Sequence, residues 1–178
     1  MRIVSLSCFI LISTFCYSQN LKSGGKLKPE QANMDIRHYT IALDVDPVLQ
    51  SVDGYTEISL IVLKKTNVLL FDFWKGLTIS RVWINGKVQS FVHDSSNMII
   101  LKTTETIPAG KLMVKIAYSG KPGIAARPPW TGGFQWSKDS KGNPWIAVTC
   151  QGEGAKIFFP CKDHPSDEPN EGADMIIT

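Results

Sequence analysis

Histidine is scarce in this chain, with three in 178 residues, and none sits where a zinc hydrolase would need it. His38, His93 and His164 are followed by Tyr39, Asp94 and Pro165, so the His-Glu-x-x-His spacing that sets two ligands on one helix face is absent. No Gly-x-Ser-x-Gly elbow occurs, and Gly152-Glu153-Gly154 lacks the Lys-Ser/Thr ending of a phosphate loop. Charge of one sign is also lacking. Nineteen Lys and Arg against sixteen Asp and Glu leave a net +3, with no basic cluster beyond Lys64-Lys65, which excludes a nucleic-acid footprint. No apolar run is long enough for an ordinary membrane span. Before Gly120 no segment repeats its apolar residues at 3.6, which argues against a helical domain, and no internal repeat stands out.

What remains is enough for one core: 43% of the residues are apolar and 20% charged, so a single domain is the default. The first residues stand apart from it. Arg2 precedes an apolar run from Ile3 to Phe15, and Cys16-Tyr17-Ser18 places small residues at the −3 and −1 positions before Gln19. This reads as a signal peptide over 1–18, with export to a periplasmic or extracellular space and no membrane span after cleavage. Residues 19–34, rich in Ser, Gly, Lys and Pro, read as a flexible exposed leader. Cleavage removes Cys8 and Cys16 and leaves Cys150 and Cys161, either as a disulfide or as two buried thiols flanking a short segment.

From about Asp35 the pattern is that of strands. Tyr39, Ile41, Leu43 and Val45 share one parity and Thr40, Asp44 and Asp46 the other, until Pro47 ends the run. Gly54 opens a second strand in which Ile58, Leu60 and Val62 alternate with polar residues, and Val68–Phe73 is a short buried run. Val82-Trp83-Ile84, Asn85-Gly86 and Lys87-Val88 spell a two-residue hairpin, because Asn-Gly supplies the two positive φ angles of a type I′ turn. Met98–Leu101, then Leu112, Val114, Ile116 and Tyr118, continue the series. Many short strands separated by turns predict an all-β, antiparallel, multi-sheet sandwich. Gly120–Pro144, with four prolines, five glycines and two tryptophans, reads as a long ordered loop whose Trp130 and Trp136 either line a site or cap the core. An apolar strand follows from Trp145, and Asp174–Thr178 begins another.

The densest stretch runs from Thr149 to Pro165. Pro160 and Pro165 stiffen a Pro-Cys-Lys-Asp-His-Pro turn, and Gly152 and Gly154 allow the chain to bend, so Gln151 or Glu153 would be held by rigid backbone. Cys161, Asp163 and His164 lie close in sequence but amount to half a metal site at best, and turn-stabilising roles suit Asp163 and His164 better. Glu153 with Asp163 could be drawn as a carboxylate pair, although surface acids are far commoner.

Phe159-Pro160-Cys161-Lys162-Asp163-His164-Pro165, with Gln151 ten residues ahead of Cys161, resembles a segment of the N-terminal β domain of M1-family zinc aminopeptidases. The resemblance extends back through the strands to about Asp35. It implies a saddle-like domain over 35–178 whose last strands and catalytic domain lie outside this chain, with zinc in the full-length parent and no cofactor in this chain. It further implies that Gln151, and less directly Glu153, binds the free α-amino group of a peptide's N-terminus while the domain forms one wall of the cleft. No catalytic or metal-binding residue is expected here, and the missing catalytic domain is the expected partner. The alternative is a stand-alone all-β module that holds a peptide or glycan through its tryptophan loop.

Overall fold

The computed structural model describes residues 23–167 and 172–178. Its strands are β1 (Met34–Asp46), β2 (Ser51–Val62), β3 (Thr66–Asp72), β4 (Thr78–Ile84), β5 (Lys87–Gln89), β6 (Val92–His93), β7 (Met98–Ile107), β8 (Gly110–Gly120), β9 (Gly133–Lys138), β10 (Pro144–Thr149) and β11 (Ala173–Ile177). One helical turn, α1 (Pro29–Ala32), precedes them, and a 3₁₀ turn spans Ala155–Ile157. The strands form three sheets: six strands in the order β11-β1-β2-β8-β4-β5, three in the order β3-β7-β6, and the β9-β10 hairpin. All pairings are antiparallel except that of β11 with β1.

Register explains the core. Tyr39 of β1 lies opposite Ile58 of β2, Ile58 opposite Val114 of β8, and Val114 opposite Ile84 of β4, and all four are buried. The next row, Ile41-Thr56-Ile116-Val82, is buried as well. These rows pack with Leu69 and Phe71 of β3 and Ile99 and Leu101 of β7, none of which is exposed to solvent. A bulge between Ile36 and His38 adds one residue to β1, so Ile36 and Tyr39, three apart, both face inward. Strict alternation would have sent one of them to solvent.

Three local expectations change. Gly54 lies inside β2, which begins at Ser51, and a Cβ there would collide with the Ala42 carbonyl oxygen of the neighbouring strand. Gly120–Pro144 is less irregular than its composition suggests, because Gly133–Lys138 pairs with Pro144–Thr149 across a turn whose amides are gathered by the Asp139 carboxylate. The leader reading of 19–34 fails at its end. Pro29–Ala32 is helical, Gln31 is buried, and its side-chain amide donates to Asp72 Oδ2 at 2.6 Å. The signal-peptide assignment over 1–18 lies outside the described residues. The Asn85-Gly86 turn forms with φ of 47° and 78° and closes the β4-β5 hairpin as its residue types require.

Candidate functional site

The stretch from Thr149 to Asp167 is bound to the sandwich at several points, each with a physical cause. Cys161 exchanges two main-chain hydrogen bonds with Asp72 at the end of β3, of 2.7 and 3.0 Å. The Trp74 amide donates to the Lys156 carbonyl at 2.9 Å, which ties the 3₁₀ turn to the same edge. Tyr118 of β8 donates its hydroxyl to the Phe158 carbonyl at 2.9 Å, and the buried Thr56 hydroxyl lies 3.4 Å from the phenol oxygen. Thr56 is thus a partnered polar group within an otherwise apolar row.

Tyr39 binds the stretch from β1. Its hydroxyl donates to Asp167 Oδ2 at 2.6 Å and accepts the Lys162 amide at 3.2 Å, while its ring packs edge-on against Phe159. Burial drives the Tyr39 phenol far above its ordinary pKa, so it acts as a neutral donor. Burial also raises the Asp167 carboxyl, an effect that the Tyr39 hydrogen bond opposes. Lys162 is buried and extends back to the Met34 carbonyl, 3.0 Å from its ammonium.

Gln151 stands on the turn this framework supports. The Glu153 and Gly154 amides both donate to the Cys150 carbonyl, at 3.2 and 2.9 Å, which closes the turn around Gln151-Gly152. Gly152 and Gly154 have φ of 72° and 84°, a region side chains rarely occupy. Gln151 is exposed, and its amide makes no hydrogen bond to another described residue. Glu153 is half-buried, with its stem against Gly132: a Cβ placed on that glycine would lie 2.6 Å from Glu153 Cβ. The structure therefore brings Gln151 and Glu153 onto one turn but gives them different exposure. A nearby cavity of about 450 Å³ is lined by Ser23, Tyr39, Lys162, Asp163, His164 and Asp167 among others, and Gln151 is not part of its wall.

Residues missed from the sequence hold this turn. Lys156 and Asp163 form an ion pair of 2.5 Å whose side chains are 8% and 9% exposed. Ser23, read as leader, donates its amide to the Gly152 carbonyl and its hydroxyl to Asp163, both at 3.1 Å. Nothing local in the sequence marks Ser23, whereas Lys156 within an apolar run was a visible irregularity.

Cys150 and Cys161 are free, the first exposed and the second buried, so neither form of the cysteine expectation holds in full. Burial raises both thiols, with the Asp163 carboxylate adding to it, which suits neither to nucleophilic work. Cys161, Asp163 and His164 do not converge. The Cys161 thiol is buried, Asp163 pairs with Lys156, and His164 Nδ1 lies 2.8 Å from the Ser166 hydroxyl. Among the described residues no three His, Cys, Asp or Glu side chains come together to hold a metal ion, so these residues do not fit zinc. Among the same residues no helix is long and apolar enough to cross a membrane. The two tryptophan readings divide: Trp136 stacks on Phe134 against the core, whereas Trp130 and Trp145 are exposed.

Fold and turn together define an all-β domain that displays a polar side chain from a braced surface turn. The chain belongs to the Peptidase M1 N-terminal domain family, whose model matches residues 36–169. It is similar to leukotriene A-4 hydrolase of Xenopus laevis, with 27% identity over 149 residues, covering 78% of this chain and 23% of that protein. Among solved structures it superposes on native leukotriene A4 hydrolase from Saccharomyces cerevisiae with a TM-score of 0.65 and 18% identity, over 90% of this chain and 25% of that one. A variant M1 zinc metallopeptidase from Deinococcus radiodurans, bound to a Tyr-Ser-Ala substrate, gives 0.61 and 21% over 83% and 32%. At such identities the superpositions establish the fold. The chain spans between about a quarter and a third of the length of these relatives.

Proposed function

We propose that this chain is the N-terminal domain of an exported M1-type zinc aminopeptidase, and that Gln151 receives the α-ammonium group of the peptide to be trimmed. The observation that carries this reading is the exposed Gln151 amide on a turn held by Cys150, Ser23 and Lys156, ten residues ahead of Cys161. The amide oxygen can accept a hydrogen bond from an ammonium group, and its neutrality leaves charge balance to groups outside this chain. Glu153, half-buried beside it, is the secondary candidate. In this reading the domain forms one wall of the cleft, and a catalytic domain contributes zinc and the hydrolytic chemistry. The metallopeptidases and hydrolases to which the chain is similar support that assignment.

The test uses the full-length protein containing this chain. Removal of N-terminal residues from free-amine peptides, abolished by a zinc chelator and restored by zinc, is the expected result. Equal cleavage of N-acetylated and free peptides would refute the ammonium assignment. Export is tested separately, by finding the mature N-terminus at Gln19 in a periplasmic or extracellular fraction. A binding-module reading has one observation in its favour, the exposure of Trp130 and Trp145 at 67% and 63%. Saturable quenching of tryptophan fluorescence by a glycan, in a protein without peptidase activity, would favour it.

A further inference from the structure

We infer that the buried Lys156–Asp163 ion pair is a positioning device for the turn that carries Gln151, an inference that deepens the proposed amine-anchor reading and rests on it for its functional consequence. Lys156 lies just after the turn, and its side chain folds back. The ammonium donates to the Glu153 carbonyl at 2.6 Å and to Asp163 Oδ2 at 2.5 Å. One cation thereby joins the main chain of the Gln151 turn to the Pro160–Pro165 turn seven residues on.

Asp163 is the fixed end of this clamp. Its amide donates to Asp72 Oδ2 at 3.0 Å, and its Oδ1 accepts the Ser23 hydroxyl at 3.1 Å. Its carbonyl accepts the Gly24 amide at 3.2 Å. Ser23 in turn donates its own amide to the Gly152 carbonyl. The carbonyls of Cys150, Gly152 and Glu153 are therefore each engaged, from within the turn, from Ser23 and from Lys156. With its neighbours' peptide planes fixed on both sides, Gln151 has little freedom except in its own side chain. Gly154 completes the arrangement, because a Cβ there would overlap the Asp163 carboxylate. The close approach of that carboxylate requires glycine.

The energetics favour a geometric role over a purely stabilising one. Burying a lysine and an aspartate forfeits hydration that their attraction only roughly restores, and apolar residues of similar volume would hold the fold at least as well. What apolar residues cannot do is grip a specific carbonyl oxygen. Lys156 is thus a positioning residue, acting on substrate only through Gln151.

The test is amide hydrogen exchange together with kinetics on the full-length protein, comparing wild type with Lys156→Met/Asp163→Leu, Lys156→Arg and Gln151→Ala. In the double variant the melting temperature should stay close to wild type, while exchange at Glu153 and Gly154 accelerates by about tenfold or more. KM for a free-amine dipeptide substrate should rise by a similar factor, with kcat changed less and residual cleavage of an N-acetylated substrate unaltered. Lys156→Arg, which keeps the charge and the donors, should restore most of both. Unchanged exchange in a folded double variant would overturn the inference. If the double variant does not fold, Asp163→Asn decides: faster exchange confined to residues 151–154 supports the clamp, and unchanged exchange overturns it. Should Gln151→Ala leave amine selectivity intact, the amine-anchor reading fails, whereas exchange still decides the clamp on its own.

Discussion

Replacing Tyr39 by phenylalanine would remove a single oxygen from the point where β1 meets the candidate site. The ring would stay buried against Phe159, so the loss is confined to hydrogen bonding. Two bonds go: the donation to Asp167 Oδ2 at 2.6 Å and the acceptance from the Lys162 amide at 3.2 Å. A bond to a charged acceptor contributes about 1.5–3 kcal/mol, and a buried amide left without a partner costs about 1–3 kcal/mol. These overlap because water can reach part of Asp167, so about 3 kcal/mol is the expected net loss. For a chain of this size that is about 6–12 °C in melting temperature. The assay is thermal unfolding by circular dichroism, with Tyr55→Phe as control. The Tyr55 ring lies 3.5 Å from the Lys115 ammonium and is half-exposed, so losing its hydroxyl should shift the midpoint little. If Tyr39→Phe melted within about 1 °C of that control, the view that β1 holds the site stretch through the phenol would be wrong.

Asp167→Asn should change the pH dependence of stability in a defined direction. Burial raises the folded-state pKa of Asp167, so its contribution is full below the ordinary aspartate range of about 4 and is lost as pH rises through the folded value. The variant should therefore melt at progressively higher temperature relative to wild type as pH rises above about 4, and parallel profiles would contradict this. In a chain beginning at Gln19, thiol titration should find one accessible group, Cys150, in the native state and two after denaturation. No accessible thiol under either condition would instead indicate a disulfide. Gly54→Ala should cost about 1–3 kcal/mol or more, because its Cβ meets the Ala42 carbonyl and the β1-β2 ladder must shift to admit it. A melting temperature unchanged from wild type would refute that.

Much of the fold was legible because half-buried strands write their register into the sequence. Tyr39, Ile41 and Leu43, or Val114, Ile116 and Tyr118, alternate without ambiguity, and Asn85-Gly86 names its turn type. Alternation breaks where the chain bulges, so the inward pair Ile36 and Tyr39 could not be placed by parity. The β9-β10 hairpin was hidden because glycine and proline surround Phe134 and Trp136, and composition outweighed a short period-2 signal. At the candidate site, the Pro160–Pro165 turn was legible from residue types, whereas Gln151 was singled out over Glu153 only by the resemblance of the segment, with its ten-residue spacing to Cys161, to M1-family N-terminal domains. Their supports were not legible. Ser23, Asp72 and Tyr39 reach the turn from distant positions, and Gln31 braces Asp72 behind it, through hydrogen bonds that carry no sequence periodicity. The Lys156–Asp163 pair is local in sequence, yet its burial depends on how the two turns fold together.

The most direct test of Gln151 as the amine anchor is kcat/KM for one free-amine and one N-acetylated substrate, measured in the full-length protein and its Gln151→Ala variant. A contact between the amide oxygen and an ammonium group contributes about 1.5–3 kcal/mol, so free-amine cleavage should fall by about ten- to a hundredfold. Residual cleavage of the acetylated substrate, which offers no ammonium, should change little, and Gln151→Glu should keep much of the free-amine rate. Equal losses on both substrates, accompanied by a lowered melting temperature, would show that Gln151 serves the turn and not the substrate.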